Sequence, residues 1–393
     1  MFDRARRDVI DFDTAHRRVF VFIGLYHGSY GGMENHGWHL LNWLRRSPPG
    51  LALVAVFAKD AQGHTVQLDE HGKVLSSWAH PLALAATLHA QGGTRPILFF
   101  NTAHWIEELA QLRSRLPTAL FCARTGGNEI VQAPLRDMRT KHLQRQQFWA
   151  RTINQTIDVL VTNSVFTEQR LIQIGIDPSK CARIPGGVDA ALAERCAHAA
   201  RRTQAVARKR VVWAGRVVAF KGLSVLLHAI HRLGDQAPEL VLIGDGPLLP
   251  TIREQVQQLG LQQRVRLPGA CSPQQSLQAI AEGDLYAATS LAEVRTVAGG
   301  RYVHTETMGR SVMEALSCGL RVVASQVGGL PELIEADLGE LVPAGDPDAV
   351  AAAIRRQLTL PPLTESRRRH LAARFGWSTV FHAYRELWSR SDA

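Results

Sequence analysis

Runs of apolar residues without alternation recur along the chain, each followed by a helix-like or turn-rich segment. In the first half they read Arg18–Tyr26, Leu51–Phe57, Pro96–Asn101, Thr118–Arg124 and Val159–Asn163. Unbroken apolar character is what strands covered on both faces of a parallel sheet require. A helix is predicted from about Met33 to Leu44, stopped by Ser47-Pro48-Pro49, and a long polar one from Arg136 to Ile157. The second half repeats the theme, with strands at Arg210–Ala214, Glu239–Ile243, Val265–Leu267, Leu285–Thr289 and Arg321–Ala324. Helices are expected between them at Gly222–Leu233, Leu249–Leu259 and Arg310–Ser317, the last ended by Gly319. Such alternation predicts an α/β protein with two parallel-sheet domains. Residues 188–209 are Ala- and Arg-rich without a strand signal and are placed as a linker. The expected domains are therefore 1–187 and 210–374, followed by a final helical segment, 375–393, whose aromatic stripe (FGWSTVFHAYRELW) packs on a core.

Composition narrows the class. A chain of 393 residues has room for two full cores, and 46% hydrophobic with 20% charged residues describes a folded globular protein. No apolar run approaches the ~20 residues that span a bilayer. Arg17-Arg18 before VFVFIGLY imitates a leader, but the run is short, ends in His27-Gly28 and has no small-residue cleavage site behind it. We read it as a buried first strand and expect a cytoplasmic location, with a peripheral place on the inner membrane face left open. The five cysteines, at 122, 181, 196, 271 and 318, form no CxxC pair, which points to buried thiols rather than disulfides or zinc.

The balance of 45 Lys and Arg against 35 Asp and Glu leaves +10. Clusters lie at Arg4 to Arg7, Arg17-Arg18, Arg201-Arg202, Arg208 to Arg210 and Arg367 to Arg369. No aromatic RNA-binding run, zinc spacing or basic heptad region accompanies them, so nucleic acid is not expected as a partner. Phosphorylated substrates and an anionic membrane surface remain.

Ligands of open parallel sheets gather beyond the carboxyl ends of strands, beside helix N-termini. Four segments fall there. Gly31-Gly32, after the first strand, would let backbone N–H groups approach a phosphate, although for a lone pair of glycines a plain turn is the stronger reading. Arg216 and Lys221 in GRVVAFKG follow the strand RVVWA. Only six lysines occur in the chain, and the last is Lys221, at a helix start where a cation opposes the helix dipole. A planar guanidinium fork and a compact ammonium suit the growing charge of a departing diphosphate. Glu306 and Glu314 stand eight positions apart in ETMGRSVMEALSCG and suit sugar and ribose hydroxyls, with the N–H groups of Gly309, Arg310 and Ser311 between them facing the diphosphate. Gly244-Asp245-Gly246-Pro247 reads as a tight turn that shapes a cleft. His104 and His304 are further cleft candidates among sixteen histidines. The Asp11/Asp13 and Asp346/Asp348 pairs follow no strand, and no metal site is expected.

In order and spacing, GGMENHG, RIPGGVD (183–189), WAGRVVAFKG (213–222), LVLIGDGPL (240–248), VRLPGACS (265–272), ETMGRSVMEALSCGLRVVASQVGGLPELI (306–334) and the closing FGW…Y resemble the retaining family-4 glycosyltransferases of GT-B fold. The match spans nearly all of the C-terminal half and several points of the N-terminal half. The resemblance implies two Rossmann-like domains facing across a cleft, with a C-terminal helix crossing back to the first domain. It implies transfer of a sugar, with retention, from a nucleotide-sugar (UDP- or GDP-linked) to a saccharide, lipid-linked or small-molecule hydroxyl, without metal or further cofactor. Arg216 and Lys221 would neutralise the diphosphate, Glu314 hold the ribose, Glu306 with Gly309–Ser311 hold the donor sugar, and the Gly31-Gly32 loop close over the phosphates.

Three departures stand out. Where the family carries His-Gly near the acceptor, this chain reads Arg124-Thr125-Gly126-Gly127-Asn128-Glu129, which makes Arg124, Thr125 and Asn128 acceptor candidates. Gly186 replaces the usual Asn. The stretch EVRTVAGGRYVHT lengthens the loop before Glu306 and makes Arg301, Tyr302 and His304 specificity candidates. The rival readings are a nucleotide-sugar epimerase, a phosphorylase and a catalytically silent sugar- or membrane-binding protein. The phosphorylase is disfavoured because no Lys follows position 221 to form a Schiff base.

Overall fold

The computed structural model describes residues 16–25, 32–60, 62–79, 81–93, 95–102, 105–126, 142–203, 209–297 and 300–390. The chain forms two compact units, residues 1–125 with 152–160 and 391–393, and residues 126–151 with 161–390.

The first sheet is built from β1 (Arg17–Leu25), β2 (Leu51–Lys59), β3 (Thr65–Leu68), β4 (Val74–Trp78), β5 (Ile97–Phe100), β6 (Leu120–Thr125), β7 (Val159–Thr162) and β8 (Cys181–Arg183). Its order is β4-β3-β2-β1-β5-β6-β7-β8. The central strands run parallel, Val19 lying opposite both Leu53 and Ile97. Helices α1 (Gly32–Leu44), α2 (Pro81–Gly92), α3 (Ile106–Arg115), α4 (His142–Thr156) and α5 (Val165–Gln173) fall between strands. Phe22 stacks on Phe57 at 4.9 Å and on Phe100 at 4.5 Å, and all three rings are fully buried, so the unbroken apolar runs are strands inside a core. Strands β3 and β4 pair antiparallel and extend the sheet beyond β2. They were not expected, because four- and five-residue polar-rich strands carry too little periodic signal.

The second sheet contains β9 (Arg210–Ala214), β10 (Glu239–Ile243), β11 (Val265–Gly269), β12 (Leu285–Ala288), β15 (Arg321–Ser325) and β16 (Gly339–Val342), in the order β11-β10-β9-β12-β15-β16. Every pairing in it is parallel. Between β12 and β15 the chain inserts an antiparallel hairpin, β13 (Glu293–Val297) with β14 (Gly300–His304). Alternate strand residues enter opposite cores. Val212, Ala214, Tyr286 and Val322 pack with α6 (Ala190–Thr203), α9 (Pro273–Ala281), α10 (Arg310–Cys318) and α12 (Glu365–Phe375). Val211, Trp213, Leu285 and Val323 pack with α7 (Leu223–Arg232), α8 (Leu249–Gln258) and α11 (Pro347–Thr359). Gly319 ends α10 at φ 93°, a conformation that other residues adopt only with strain. In the last helix, α13 (Trp377–Arg390), Val380, Phe381, Tyr384 and Trp388 are buried, the helical spacing read from the sequence.

Within the stretch placed as a linker, residues 190–203 form α6, and Ala193, Cys196 and Ala200 enter the core beside α10. An Ala-rich stretch is a strong helix former, and its small side chains let the helix lie close to its neighbours. Asp346 caps α11 by accepting the Asp348 and Ala349 N–H groups at 2.9 and 3.0 Å, so this carboxylate serves a helix end. Of the cysteines, Cys122, Cys196 and Cys318 are buried, Cys181 and Cys271 are half-buried, and all five are free thiols.

Candidate functional site

In the second unit, four chain segments converge beyond the carboxyl ends of β9 and β12. The first is the loop after β9. Arg216 is exposed two residues past the strand, and Val217 N–H donates to Asp245 O at 2.8 Å, tying this loop to the turn after β10. The chain then makes a 3-10 turn, Ala219–Lys221, that buries Phe220 and brings Lys221 inward.

The second segment is the stretch 304–309 before α10. Lys221 Nζ donates to Glu306 Oε2, closing an ion pair between two side chains only 17% and 16% exposed. Burial alone would push the Glu306 carboxyl up. The Lys221 charge and hydrogen bond, with N–H donation from Gly309 and Met308, outweigh that and hold it below the usual carboxylate range. Two residues earlier, the His304 ring lies 4.2 Å from the ring of Phe220.

The third segment is α10. Glu314 sits one turn in, 3.4 Å from Arg310 Nε. Burial lifts its carboxyl above the ordinary range, and Arg310 offsets part of that rise. Two half-buried acids at the same helix start are thus driven in opposite directions, a pattern typical of sites that handle charge.

Tyr286 on β12 joins these pieces. Its hydroxyl donates to Ala214 O at 3.0 Å and receives the Ala214 N–H at 3.1 Å. Burial raises this phenol well beyond its ordinary value, against its hydrogen bond with Ser311, and the neighbouring Glu314 and Glu306 raise it further. Sequence reasoning missed Tyr286. The available signal was a single tyrosine in the apolar strand LYAA, since a buried phenol needs a partner.

The fourth segment supports Glu306 from behind. Gly329 N–H donates to Glu306 O at 3.0 Å, and a Cβ at Gly328 (φ 58°) would lie 1.8 Å from that same oxygen. Only glycine permits so close an approach. Just beyond, the Glu332 carboxylate accepts the Val165 and Phe166 N–H groups, both at 2.8 Å, and so caps α5 together with Ser164. Asn163 Nδ2 donates to Thr307 Oγ1 at 3.2 Å within the same unit. Glu332 belongs to the motif PELI but had been given no role.

In the first unit, Arg124 and Thr125 end β6 and are buried, as are Asn101 and Thr102 just after β5. His36, one turn inside α1, is also buried. Burial holds its imidazole well below the ordinary value, and the Arg124 and His39 charges add to the effect. His36 is a second residue that the sequence reading passed over, within the quoted GGMENHG.

The structure therefore brings Lys221, Glu306, Gly309, Arg310, Ser311, Glu314 and His304 into one neighbourhood and sets Arg216 on the loop leading to it. Gly32 is the first residue of α1, and Arg301 and Tyr302 are placed by their backbone opposite Thr296 and Arg295 in the hairpin. Gly31, His104 and Asn128 lie outside the described residues.

Comparison with known proteins matches residues 208–359 to the family model described as Glycosyl transferases group 1. The chain is 24% identical over 379 residues to a phosphatidylinositol N-acetylglucosaminyltransferase subunit of Arabidopsis thaliana, covering 92% of this chain and 79% of that one. It is 29% identical over 257 residues to D-inositol 3-phosphate glycosyltransferase of Corynebacterium efficiens, covering 60% of this chain and 57% of that one. Among solved structures, HepE of Anabaena in complex with UDP and glucose superposes with a TM-score of 0.70 at 19% identity, covering 95% of this chain and all of that one.

Proposed function

Since the chain is a glycosyltransferase of GT-B fold whose residues 208–359 match the glycosyl transferases group 1, we propose that it moves a sugar, with retained anomeric configuration, from a UDP- or GDP-linked donor to the hydroxyl of a phosphate-bearing acceptor of the inositol phosphate type. The observation that carries this reading is the Lys221–Glu306 pair at the start of α10. Without donor, the two charges satisfy each other. On donor binding, Lys221 turns with Arg216 to the diphosphate and Glu306 takes a hydroxyl of the sugar. Backbone N–H groups of Gly309, Arg310 and Ser311 at the helix start add partial positive charge at the phosphates. Glu314 accepts hydrogen bonds from the ribose.

As the glycosidic bond breaks, charge grows on the leaving diphosphate, and fixed cations stabilise that charge more than the ground state. This role needs no metal ion. The acceptor hydroxyl attacks from the same face and passes its proton to a leaving phosphate oxygen, which retains the configuration. UDP in the HepE complex supports a nucleotide donor, and the inositol phosphate acceptor is supported by the names of the Arabidopsis and Corynebacterium relatives. Arg124, Thr125 and the buried His36 at the first sheet's carboxyl edge are the acceptor-side residues we favour.

On this reading, residues 1–187 carry the acceptor and 210–374 the donor. The location is cytoplasmic, peripheral to an anionic membrane face when the acceptor is a lipid. The test is transfer from the donor to inositol 1-phosphate, with the anomeric proton coupling of the product read by NMR. A retained anomer on the acceptor is expected. An inverted product, or an epimerised donor with no transfer, would overturn the reading.

A further inference from the structure

The donor scheme above uses the backbone N–H of Arg310 and leaves its side chain without a role. The place of that side chain on α10 is unusual. Arg310 is the first residue of the helix, where a cation opposes the positive end of the helix dipole. Glu314 follows four positions later, and a base placed N-terminal to its acid is the weaker order for a helix-stabilising pair. Helix stability therefore does not account for this arginine.

What the pair does control is the state of Glu314. Its side chain is 23% exposed, on a helix whose Val312, Met313 and residues 315–318 are buried. Arg310 Nε lies 3.4 Å from Glu314 Oε1, and Arg310 is the one ion-pair partner of Glu314 among the described residues. Nη1 of the same guanidinium is buried and meets no hydrogen-bond acceptor among the described residues, so the fork is not consumed by a structural network. The other titratable groups around Glu314 bring it no positive charge. Tyr286, from β12, stays a neutral phenol because burial raises it, and Glu314 and Glu306 add to that rise. Cys318, one turn further along α10, is kept a thiol chiefly by burial, and the Arg368 charge from α12 acts on it there. Lys221 is taken by Glu306. Burial pushes the Glu314 carboxyl up, and Arg310 is what pulls it back.

We propose that the Arg310 side chain is a positioning residue for nucleotide recognition: it holds Glu314 as a carboxylate for the ribose diol and so makes the site prefer ribo- over 2′-deoxyribonucleoside diphosphates. This role rests on the donor reading above, in which Glu314 accepts from the ribose. An ionised carboxylate is an acceptor only, so both hydroxyls of the diol can donate to it, whereas a protonated acid gives up one oxygen to its own O–H. Bonds to a charged acceptor are also about twice as strong as neutral ones. A 2′-deoxyribose supplies one donor where the carboxylate expects two. Without Arg310, burial acts on Glu314 unopposed, and the carboxyl keeps its proton to higher pH. The loss is therefore greatest in acid and shrinks as pH rises.

The test is calorimetric titration of the full chain with UDP, GDP and their 2′-deoxy forms at pH 6 and pH 8.5. The natural chain is compared with Arg310→Met, Arg310→Lys and Glu314→Gln. Taking the ratio of ribo to deoxy affinity cancels the titration of the diphosphate itself. The natural chain should prefer the ribonucleotide about tenfold or more at both pH values, the worth of one hydrogen bond to a charged group. Arg310→Met should lose most of that preference at pH 6 and regain it at pH 8.5, Arg310→Lys should keep it, and Glu314→Gln should lack it throughout. A preference in Arg310→Met equal to that of the natural chain at pH 6 overturns the proposal and leaves the donor reading standing. So does a loss that is the same at both pH values, or one that falls equally on ribo and deoxy forms, as a merely structural role would give. A natural chain that binds neither diphosphate overturns the donor reading and this role with it. Arg310→Gln is carried in parallel, so that a folding defect in one variant, seen in its unliganded melting temperature, leaves the other to decide.

Discussion

Lys221 and Glu306, 85 residues apart in the chain, form one ion pair at the start of α10, each side chain about one-sixth exposed. A pair this withdrawn from water holds only while both members remain, because either charge alone would be left poorly solvated. Replacing Lys221 with Met should therefore lower unfolding stability by about 3 kcal/mol, the lower end for buried pairs because some water still reaches this one. Lys221→Met/Glu306→Gln should recover most of that stability and none of the turnover. Urea melts of the three proteins, with donor turnover measured alongside, check this. Stability that stays low in the double variant would mean the pair is not what the two residues contribute.

Arg216 offers a cleaner separation of catalysis from folding, because it is exposed on the loop after β9. Arg216→Ala should leave the melting temperature unchanged. It should cost about 2.7–4 kcal/mol of transition-state stabilisation, a loss of roughly 100- to 1,000-fold in kcat, by analogy with removal of one oxyanion donor. Steady-state kinetics at saturating donor check it.

The opposed acids at α10 set a pH signature. Burial raises the Glu314 carboxyl, so the folded state holds its proton to higher pH than the unfolded chain does. The sign follows from linkage. The folded state is favoured at low pH and loses stability as pH rises from the ordinary glutamate range through the raised value. Glu314→Gln should raise the melting temperature at pH 8 and raise it less at pH 5, while weakening nucleotide binding at both. Thermal melts at the two pH values, with nucleoside diphosphate titrations, test this.

His36 gives the opposite slope. Its imidazole is held below the ordinary value by burial first, with the Arg124 and His39 charges adding to it. The unfolded chain takes up this proton below about pH 6.5 while the folded chain does not. Stability that is complete above that pH is lost as pH falls, at up to about 1.4 kcal/mol per pH unit for one proton. Subtracting the denaturation profile of His36→Asn from that of the natural chain should leave this slope as the difference. Parallel profiles would show that His36 is not buried and neutral.

Much of this architecture was legible because the second sheet and the central strands of the first run parallel. Arg210–Ala214 and Glu239–Ile243 are strands with the bounds their apolar runs suggested, and Gly319 ends α10 in the expected left-handed conformation. Lys221 and Glu306 were each singled out from their place after a strand and before a helix. Their mutual bond was not, because nothing in residues 85 positions apart states which charges meet. Short antiparallel pieces were lost for a different reason. β13 and β14 read as a lengthened loop, since strands of only five residues carry too short a periodic signal until they pair. Tyr286, Glu332 and His36 were missed because each acts on backbone or neighbours brought close only by folding.

The most direct measurement is slow donor hydrolysis across UDP-, GDP-, ADP- and dTDP-linked sugars, with and without EDTA, alongside nucleoside diphosphate binding. The account predicts that one donor is hydrolysed, that EDTA leaves the rate unchanged, and that Lys221→Ala abolishes it. Hydrolysis lost to EDTA, hydrolysis undiminished in Lys221→Ala, or a chain that neither hydrolyses a donor nor binds a nucleoside diphosphate would contradict it.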